Sequence, residues 1–228
     1  PNQRIAVTAG RLKNFVSVYS PHVAGYGSIP ATIMPLEGVT TTCHITWLTE
    51  DQLVQMHLTE AIGSSYRYSE LRDIDLQCEM TGPHEKIHAY IGRRGVLRLN
   101  GSYIGLSAIP IEGQHEELTL MSQAEVQEAT AHTLNHKINI NRFVESNMNF
   151  NNRHHVIEAL KYHASPYPHL NEIIIHDEKL NVKDTDSISN WRGWGRRFLC
   201  GRPPACLDAR VHVCHDRFRG SGAGHGRG

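Results

Sequence analysis

Hydrophobic and polar positions alternate along the first two-thirds of the chain with the period of two that is typical of β-strands. Residues 40–47 alternate in a composition rich in Thr, Ile and Trp, which predicts a half-buried strand. Another strand is predicted to end at Leu76, and a further one covers residues 86–91. Residues 96–104 predict a hairpin, because they contain the strong turn dipeptide Asn100-Gly101.

The N-terminal part of this strand-rich region is less regular. Residues 4–20 predict one or two strands with a turn near Gly10. Residues 21–35 contain two Gly and three Pro residues, so they predict a loop, with a short strand at 31–33.

A short helix is predicted between two of the strands. Thr49 is a natural N-cap, and two acidic residues follow in the first turn, where the helix dipole favours negative charge. Leu53, Met56 and His57 share one face, and Glu60 follows at i+7 on the side that turns toward the core. A carboxylate in that position must be hydrogen-bonded, paired or engaged in chemistry.

Helices dominate the last third of the predicted elements. Ser122 and Glu125 have capping-box spacing at the start of one helix, and a second is predicted at 153–163, before Pro166. Strands followed by helices indicate an α+β fold rather than a regular βαβ alternation. We expect a small mixed β-barrel or sheet with a short helix ending at Glu60 and C-terminal helices packed on it.

The 228 residues predict one domain followed by a tail. The barrel is expected at 1–120, the helical part of the same domain at 121–184, and a Gly/Arg-rich tail at 185–228. Residues 191–228 contain eight Arg and two Asp, a net charge of +6, so the first 190 residues carry −6. This composition predicts a disordered extension or a translation artefact. The alternative is an arm that binds nucleic acid through Arg and stacked aromatic residues.

Composition also sets expectations about compartment. No apolar run approaches the roughly 18 residues that indicate a membrane span, and basic residues interrupt any signal-peptide core near the N-terminus. The odd number of cysteines, five, favours a reducing compartment, so we expect a cytoplasmic protein. The start at Pro1 rather than Met indicates a processed or truncated chain.

No metal or cofactor motif organises the 16 histidines and five cysteines. The chain lacks HExxH and paired CxxC spacing, a P-loop, a dinucleotide fingerprint and GxSxG. In the tail, Cys200, Cys206, Cys214 and His215 lack the close pairs that pre-form a zinc site. We therefore expect no cofactor and no bound metal, and the partner is expected to be a small molecule.

The order of features from Ala9 to Leu76 resembles the gamma-glutamylcyclotransferase family, in its BtrG-like branch. The segments that carry the resemblance are AGRLKNFVSVYS, SIPATIMPLEGVTTTCHITWLTEDQL and MHLTEAIGSSYRYSELRDIDL. The resemblance implies a small α/β barrel enzyme in which Glu60 is the catalytic acid/base. It also implies that Tyr66 and Arg67, the aromatic–basic pair after Glu60, contact the substrate.

Two positions depart from the family pattern. The family has an N-terminal YGSN loop whose backbone N–H groups hold the substrate carboxylate, and nothing before Arg11 matches it. Tyr26 to Ser28 spell part of this motif, but later in the order and followed by Ile29 rather than Asn. These residues are either a coincidental loop sequence or a contribution of Tyr26 and Ser28 to substrate binding. Also, His57 replaces the Asp of the family's Leu-Asp pair.

Cyclisation of a γ-glutamyl group requires its α-amine to attack the γ-carbonyl and expel an amine. A single carboxylate can take the proton from the attacking amine and deliver one to the leaving nitrogen. The resemblance thus implies an amide-cleaving transferase or hydrolase with Glu60 as acid/base.

Two other interpretations remain open. In one, Glu60 only accepts hydrogen bonds, from Tyr66, Arg67 or the backbone, and the protein is a non-catalytic small-molecule-binding or interaction protein of the same fold. In the other, the same cavity serves a hydrolase of another substrate class.

Overall fold

The computed structural model describes residues 5–60, 62–134 and 142–168, together with the backbone of 174–177 and 208–212. The strands within these residues are β1 (Ala6–Tyr19), β2 (Ala31–Leu48), β3 (Tyr66–Cys78), β4 (Gly82–Gly92), β5 (Val96–Leu99), β6 (Ser102–Leu106), β7 (Ile111–Glu112), β8 (Leu118–Met121), β9 (Ala164–Ser165), β10 (Ile174–Asp177) and β11 (Asp208–His212). The helices are α1 (Glu50–Thr59), α2 (Gln123–Thr133), α3 (Phe143–Met148) and α4 (Phe150–Leu160), and a 3₁₀ turn spans Lys161–His163.

The fold is α+β, which confirms the predicted class: a curled half-barrel sheet carries helices from the C-terminal part of the chain. Two long antiparallel hairpins, β1–β2 and β3–β4, form most of the sheet. Strand β1 also pairs with β3 at residues 10–12 and with β6 at Val18. Because β1 is bonded along both edges, the two hairpins curl toward each other.

Gly10 lies within β1 rather than at a turn, so the predicted turn near this residue is wrong. It pairs with Cys43 of β2 on one side and with Cys78 of β3 on the other. A Cβ atom at this position would lie 2.5 Å from Cδ1 of Ile45 and 3.2 Å from Cδ1 of Leu76. The glycine therefore permits close packing on the concave side of the sheet, which is a second common reason for glycine in a strand.

Strand β2 is longer than the predicted strands at 31–33 and 40–47, because it joins them into one 18-residue strand. Pro35 lies inside it, where a β-bulge between Lys13 and Phe15 of β1 interrupts the register. Asn14 occupies the bulge with φ of 57°. Bulges are among the few sheet positions that tolerate proline, and this explains why the strand continues.

Helix caps follow the predicted chemistry. Thr49 and Gln52 form a capping box at α1, and Ser122 forms one with Glu125 at α2, which confirms both predicted N-termini. Helix α4 begins three residues before the predicted Arg153, since the side chain of Asn149 caps it there. Helix α3 was not predicted.

The helices cover one part of the core. Phe143, Val156 and Leu160 pack with strand residues such as Leu97 and Ile104 in one buried cluster. A second cluster, which we call the inner cluster, fills the concave side of the half-barrel and contains Leu12, Phe15, Ile33, Cys43, Ile45, Leu71, Ile74, Leu76, Cys78, Ile87, Ala89 and Ile91. A third buried cluster joins residues of β1, β2, β5 and β6, among them Val16, Met34 and Val96.

Five residues of the predicted tail form a strand instead of a disordered segment. Strand β11 pairs antiparallel with β2 and parallel with β4, so it lies between the two hairpins. Its sequence, DARVH, alternates polar and apolar residues, and this short pattern was obscured by the Gly and Arg around it. The rest of 185–228 lies outside the described residues. In the part of the chain that the structure describes, no helix has both the length and the apolar character needed to cross a membrane.

We expect Gly27→Ala to destabilise the fold more than Gly101→Ala does. Both glycines have positive φ, 88° and 85°, so each alanine carries the cost of a left-handed backbone, about 1–2 kcal/mol. At Gly27, a Cβ would also lie 2.1 Å from the carbonyl oxygen of Val144, whereas nothing lies within 4 Å at Gly101. The clash should add about 1–3 kcal/mol, measured by denaturant unfolding. Equal losses for the two variants would contradict this packing of the loop against α3.

Candidate functional site

Tyr66 is the centre of a polar cluster at the end of the half-barrel where β2 and β3 begin. The residue is buried, and its hydroxyl donates to the carbonyl oxygen of Ala31 over 2.7 Å. Burial raises the pKa of Tyr66 well above its ordinary value, and the neighbouring ionisable groups of Tyr26, Glu60 and Tyr167 raise it further. All three side chains therefore lie within electrostatic range of one buried hydroxyl group.

Glu60 reaches this cluster from the C-terminal end of α1. It is the C-cap of the helix, with its N–H donating to the carbonyl oxygen of Met56 over 3.0 Å, and it is half-buried. A short turn then leads to β3, and the N–H of Gly63 donates to the carbonyl oxygen of Tyr66 over 2.9 Å. The helix end and this turn together hold Glu60 beside the start of β3.

Arg67 lies on the opposite face of β3 from Tyr66. It is directly opposite Ile91 of β4, a member of the inner cluster, so it belongs to the concave side of the half-barrel. Its charge also acts on Tyr167: burial raises the pKa of Tyr167, while the hydroxyl of Thr32 and the guanidinium of Arg67 oppose this rise. The structure thus places a cation within electrostatic range of the Tyr167 hydroxyl group.

A ring of hydrogen bonds joins three distant parts of the chain next to this cation. The N–H of Gly92 donates to Oγ1 of Thr32 over 3.0 Å, and the hydroxyl of Tyr167 donates to the carbonyl oxygen of Gly92 over 2.8 Å. A tyrosine hydroxyl has one proton, so Thr32 is the donor in the 3.0 Å contact between the two hydroxyl groups. Each hydroxyl in the ring both donates and accepts, which strengthens all three bonds.

Tyr26 and Ser28 lie in the loop between β1 and β2. Tyr26 is 51% exposed and its phenol acts on Tyr66, so the structure brings it to the cluster. Ser28 is half-buried, and its carbonyl oxygen accepts from the N–H of Ala24 over 2.9 Å. Among the described contacts, Ser28 takes part in closing the loop rather than in the Tyr66 cluster.

The sequence did not indicate several other residues at this end of the sheet. His22 is buried, with its ring centroid 6.1 Å from that of Tyr66 and Nδ1 3.1 Å from Oγ of the fully buried Ser20. Thr32 and Tyr167 are 135 positions apart, and no local pattern links them. The one sequence feature that marks the segment around Tyr167 is its two flanking prolines, because they disfavour a helix there.

The two described cysteines are core residues. Both are buried and free, and burial, with the neighbouring Cys78 thiol, raises the pKa of Cys43 to about 12. Burial also opposes ionisation of Cys78, but hydrogen bonds from Thr81 and its neighbours outweigh it and lower the pKa of this thiol. Folding brings His84 to Thr81, with Nε2 2.6 Å from Oγ1, rather than into contact with either sulfur. Cys78 is only 5% exposed and belongs to the inner cluster.

No metal centre is present within the described residues, which contain no group of three or more His, Cys, Asp or Glu side chains arranged to hold an ion. Several described histidines contact aromatic rings or hydroxyl groups instead; His154, for example, stacks on Phe150 with ring centroids 6.3 Å apart. The four potential donors of the tail lie outside the described residues.

In comparisons with known proteins, no family model, no curated protein and no solved structure matches this chain. The resemblance to the gamma-glutamylcyclotransferases therefore stays a prediction from the sequence.

Tyr167→Phe should lower the free energy of unfolding by about 1–3 kcal/mol, because it leaves the buried carbonyl oxygen of Gly92 without its donor and removes the acceptor for Thr32. Tyr162→Phe is the matched control, since Tyr162 is 90% exposed and should lie within about 0.5 kcal/mol of the unmodified protein. Chemical unfolding of both variants measures the difference. If the two variants unfold at the same denaturant concentration, the ring does not stabilise the fold.

Glu70 is a buried carboxylate on the face of β3 and β4 outside the half-barrel. Its pKa predicts a contribution to stability that is lost in acid. Glu70 contacts Arg72, Lys86 and His88, with Nζ of Lys86 3.2 Å from Oε2. Burial alone would raise the pKa of Glu70, but hydrogen bonds from Arg72 and Lys86 outweigh it, and the pKa lies below its ordinary value.

A depressed pKa means that the folded state favours the ionised carboxylate, so its contribution to stability is present above the unfolded-state pKa, about 4.3, and is lost at lower pH. We expect Glu70→Gln to cost about 1–2 kcal/mol at pH 7 and progressively less as the pH falls below about 4. Unfolding curves of both proteins at several pH values test this. A difference that stays constant with pH would show that the ionised form is not the stabilising one.

Proposed function

We propose that this protein cleaves a γ-glutamyl or related amide by intramolecular cyclisation, with Glu60 as general acid/base. The observation that supports this most directly is the position of Glu60 at the end of α1, within electrostatic range of the buried Tyr66 hydroxyl. A carboxylate fixed between a helix end and a strand is suited to repeated proton transfer, because its position does not have to be recovered in each cycle.

The reaction has two proton transfers. The α-amine of the substrate attacks the γ-carbonyl carbon while Glu60 takes one proton from the amine, which forms the new C–N bond of a five-membered ring. Collapse of the tetrahedral intermediate then breaks the original amide bond, and the leaving nitrogen receives the proton from Glu60. The products are 5-oxoproline and a free amine, and Glu60 returns to its starting ionisation state.

The charges of the reacting groups need donors and a cation. Arg67 lies on the other face of β3 from Tyr66, but its charge acts on Tyr167, which in turn acts on Tyr66. In this proposal its guanidinium offsets the negative charge of a carboxylate or oxyanion. The raised pKa of Tyr66 keeps its hydroxyl protonated at neutral pH, so Glu60 faces a neutral neighbour. The substrate is a small molecule in this proposal, and the cysteine count supports a reducing, cytoplasmic compartment.

A second candidate function has an observation in its favour. Four N–H groups of the loop between β1 and β2, those of Ser20, His22, Ala24 and Gly27, donate to carbonyl oxygens of the loop itself. These N–H groups are therefore already used, and they do not form the cradle that a bound carboxylate requires. A non-catalytic protein that binds a small molecule at the same site, or a hydrolase of another substrate class, is the alternative.

The test is release of 5-oxoproline from a panel of γ-glutamyl amines by the unmodified protein and by Glu60→Gln. We expect Glu60→Gln to abolish release, at least about 100-fold, because glutamine keeps the size of the side chain but transfers no proton. Glu85→Gln is the control, since Glu85 is exposed at the β3–β4 hairpin and should leave activity unchanged. Thermal unfolding of both variants verifies the fold.

Two results would contradict the proposal. Full activity of Glu60→Gln would remove this carboxylate from the mechanism. Absence of release from every member of the panel, together with measurable binding of one of them, would favour the non-catalytic alternative.

A further inference from the structure

Helix α1 docks on the sheet through a histidine rather than through an apolar stripe. His57 is the buried residue of the helix, whereas Leu53 and Met56 are half-buried. Two further apolar side chains face solvent, with Val54 51% exposed and Leu58 42% exposed. The position of α1 therefore depends on what the imidazole ring of His57 contacts.

His57 contacts two tyrosines of the β3–β4 hairpin. Its Nδ1 lies 2.9 Å from the hydroxyl oxygen of Tyr90, and its ring meets the Tyr68 ring edge-on with centroids 4.7 Å apart. Tyr68 in turn stacks on His88, with centroids 5.0 Å apart and planes within 9°. The ring of Tyr68 is thus held on both sides, and it forms a fixed surface for the imidazole.

The docked imidazole is three residues before Glu60. Residues at i and i+3 of a helix lie on the same side, one turn apart, and the N–H of Glu60 is still bonded to the carbonyl of Met56. A displacement of His57 is therefore passed through one hydrogen-bonded turn to the backbone that carries the carboxylate.

We propose that His57 and Tyr90 are positioning residues for Glu60. The hydrogen bond between them fixes the distance and the rotation of the last turn of α1 relative to β4, and this places the carboxylate beside Tyr66. Apolar contact alone has no preferred direction, whereas a hydrogen bond has one, and a displacement of about 1 Å at a reacting group can reduce a rate about 100-fold. This inference rests on the proposed acid/base role of Glu60.

The test uses variants that separate the hydrogen bond from the burial. Tyr90→Phe keeps the ring and removes the hydroxyl, and His57→Leu keeps an apolar side chain and removes the polar contact. His57→Asn places an amide group near the position of Nδ1, so it can restore a bond to Tyr90. Tyr162→Phe is the matched control for loss of a tyrosine hydroxyl, because Tyr162 is 90% exposed on the 3₁₀ turn.

We expect Tyr90→Phe and His57→Leu to lower kcat about tenfold with KM changed by less than about twofold, since the substrate still binds but the carboxylate is misplaced. His57→Asn should recover most of kcat, and Tyr162→Phe should not change it. A kcat of Tyr90→Phe equal to that of the unmodified protein, or equal losses for His57→Asn and His57→Leu, would overturn the positioning role.

A second readout does not depend on activity. The carboxyl ¹³C resonance of Glu60, assigned by its loss in Glu60→Gln, should move in Tyr90→Phe and His57→Leu and stay in place in Tyr162→Phe. If no γ-glutamyl amine is cleaved but the resonance moves as expected, the proposed reaction fails and the positioning stands. If cleavage occurs but the resonance and kcat of Tyr90→Phe are unchanged, the reaction stands and the positioning fails.

Discussion

Pairing of β1 along both of its edges is the constraint on which the rest of the structure depends. The strand bonds to β2 along most of its length, and residues 10–12 also bond to β3. At Gly10 the side chains of Ile45 in β2 and Leu76 in β3 occupy the space that a Cβ atom would need, so glycine lets both neighbouring strands pack closely there. As a result the two long hairpins curl, and the first residues of β2 and β3 meet, as shown by the bond between Tyr66 and Ala31.

The candidate site follows from that meeting of strand ends. Ends of strands leave backbone groups that are not paired within the sheet, so side chains and neighbouring segments have to satisfy them. Tyr66 and Tyr167 both use their hydroxyl groups in this way, on the carbonyl oxygens of Ala31 and Gly92. The same polar environment that completes the sheet surrounds Glu60, so the structural and the proposed chemical roles of these tyrosines share one origin.

Local chemistry was readable from the sequence, and long-range contact was not. The caps at Thr49 and Ser122 and the turn at Asn100 were predicted correctly, since each depends on residues within a few positions. The pattern predicts a turn at Gly10, because a glycine that permits a turn and a glycine that makes room for a neighbouring side chain cannot be told apart from the sequence.

The residues of the candidate site show the same difference between local and long-range information. Glu60, Tyr66 and Arg67 could be proposed from one continuous stretch of the chain. The partners of that stretch, His22, Thr32 and Tyr167, come from segments that only the fold brings together. Docking of α1 through His57 could not be predicted either. The helical periodicity places His57 on one face of α1, but it does not show that this residue contacts the sheet.

The contact between Thr32 and Tyr167 has a consequence for how the chain acquires its structure during synthesis. The first hairpin is complete in sequence after Leu48, yet one of its buried hydroxyl groups finds its partner more than one hundred residues later. Until Tyr167 emerges from the ribosome, the Thr32 hydroxyl cannot form this contact, and contacts of such large sequence separation form slowly. A nascent chain therefore passes through a period in which the first hairpin is complete in sequence while a buried hydroxyl group of the candidate site still lacks its partner.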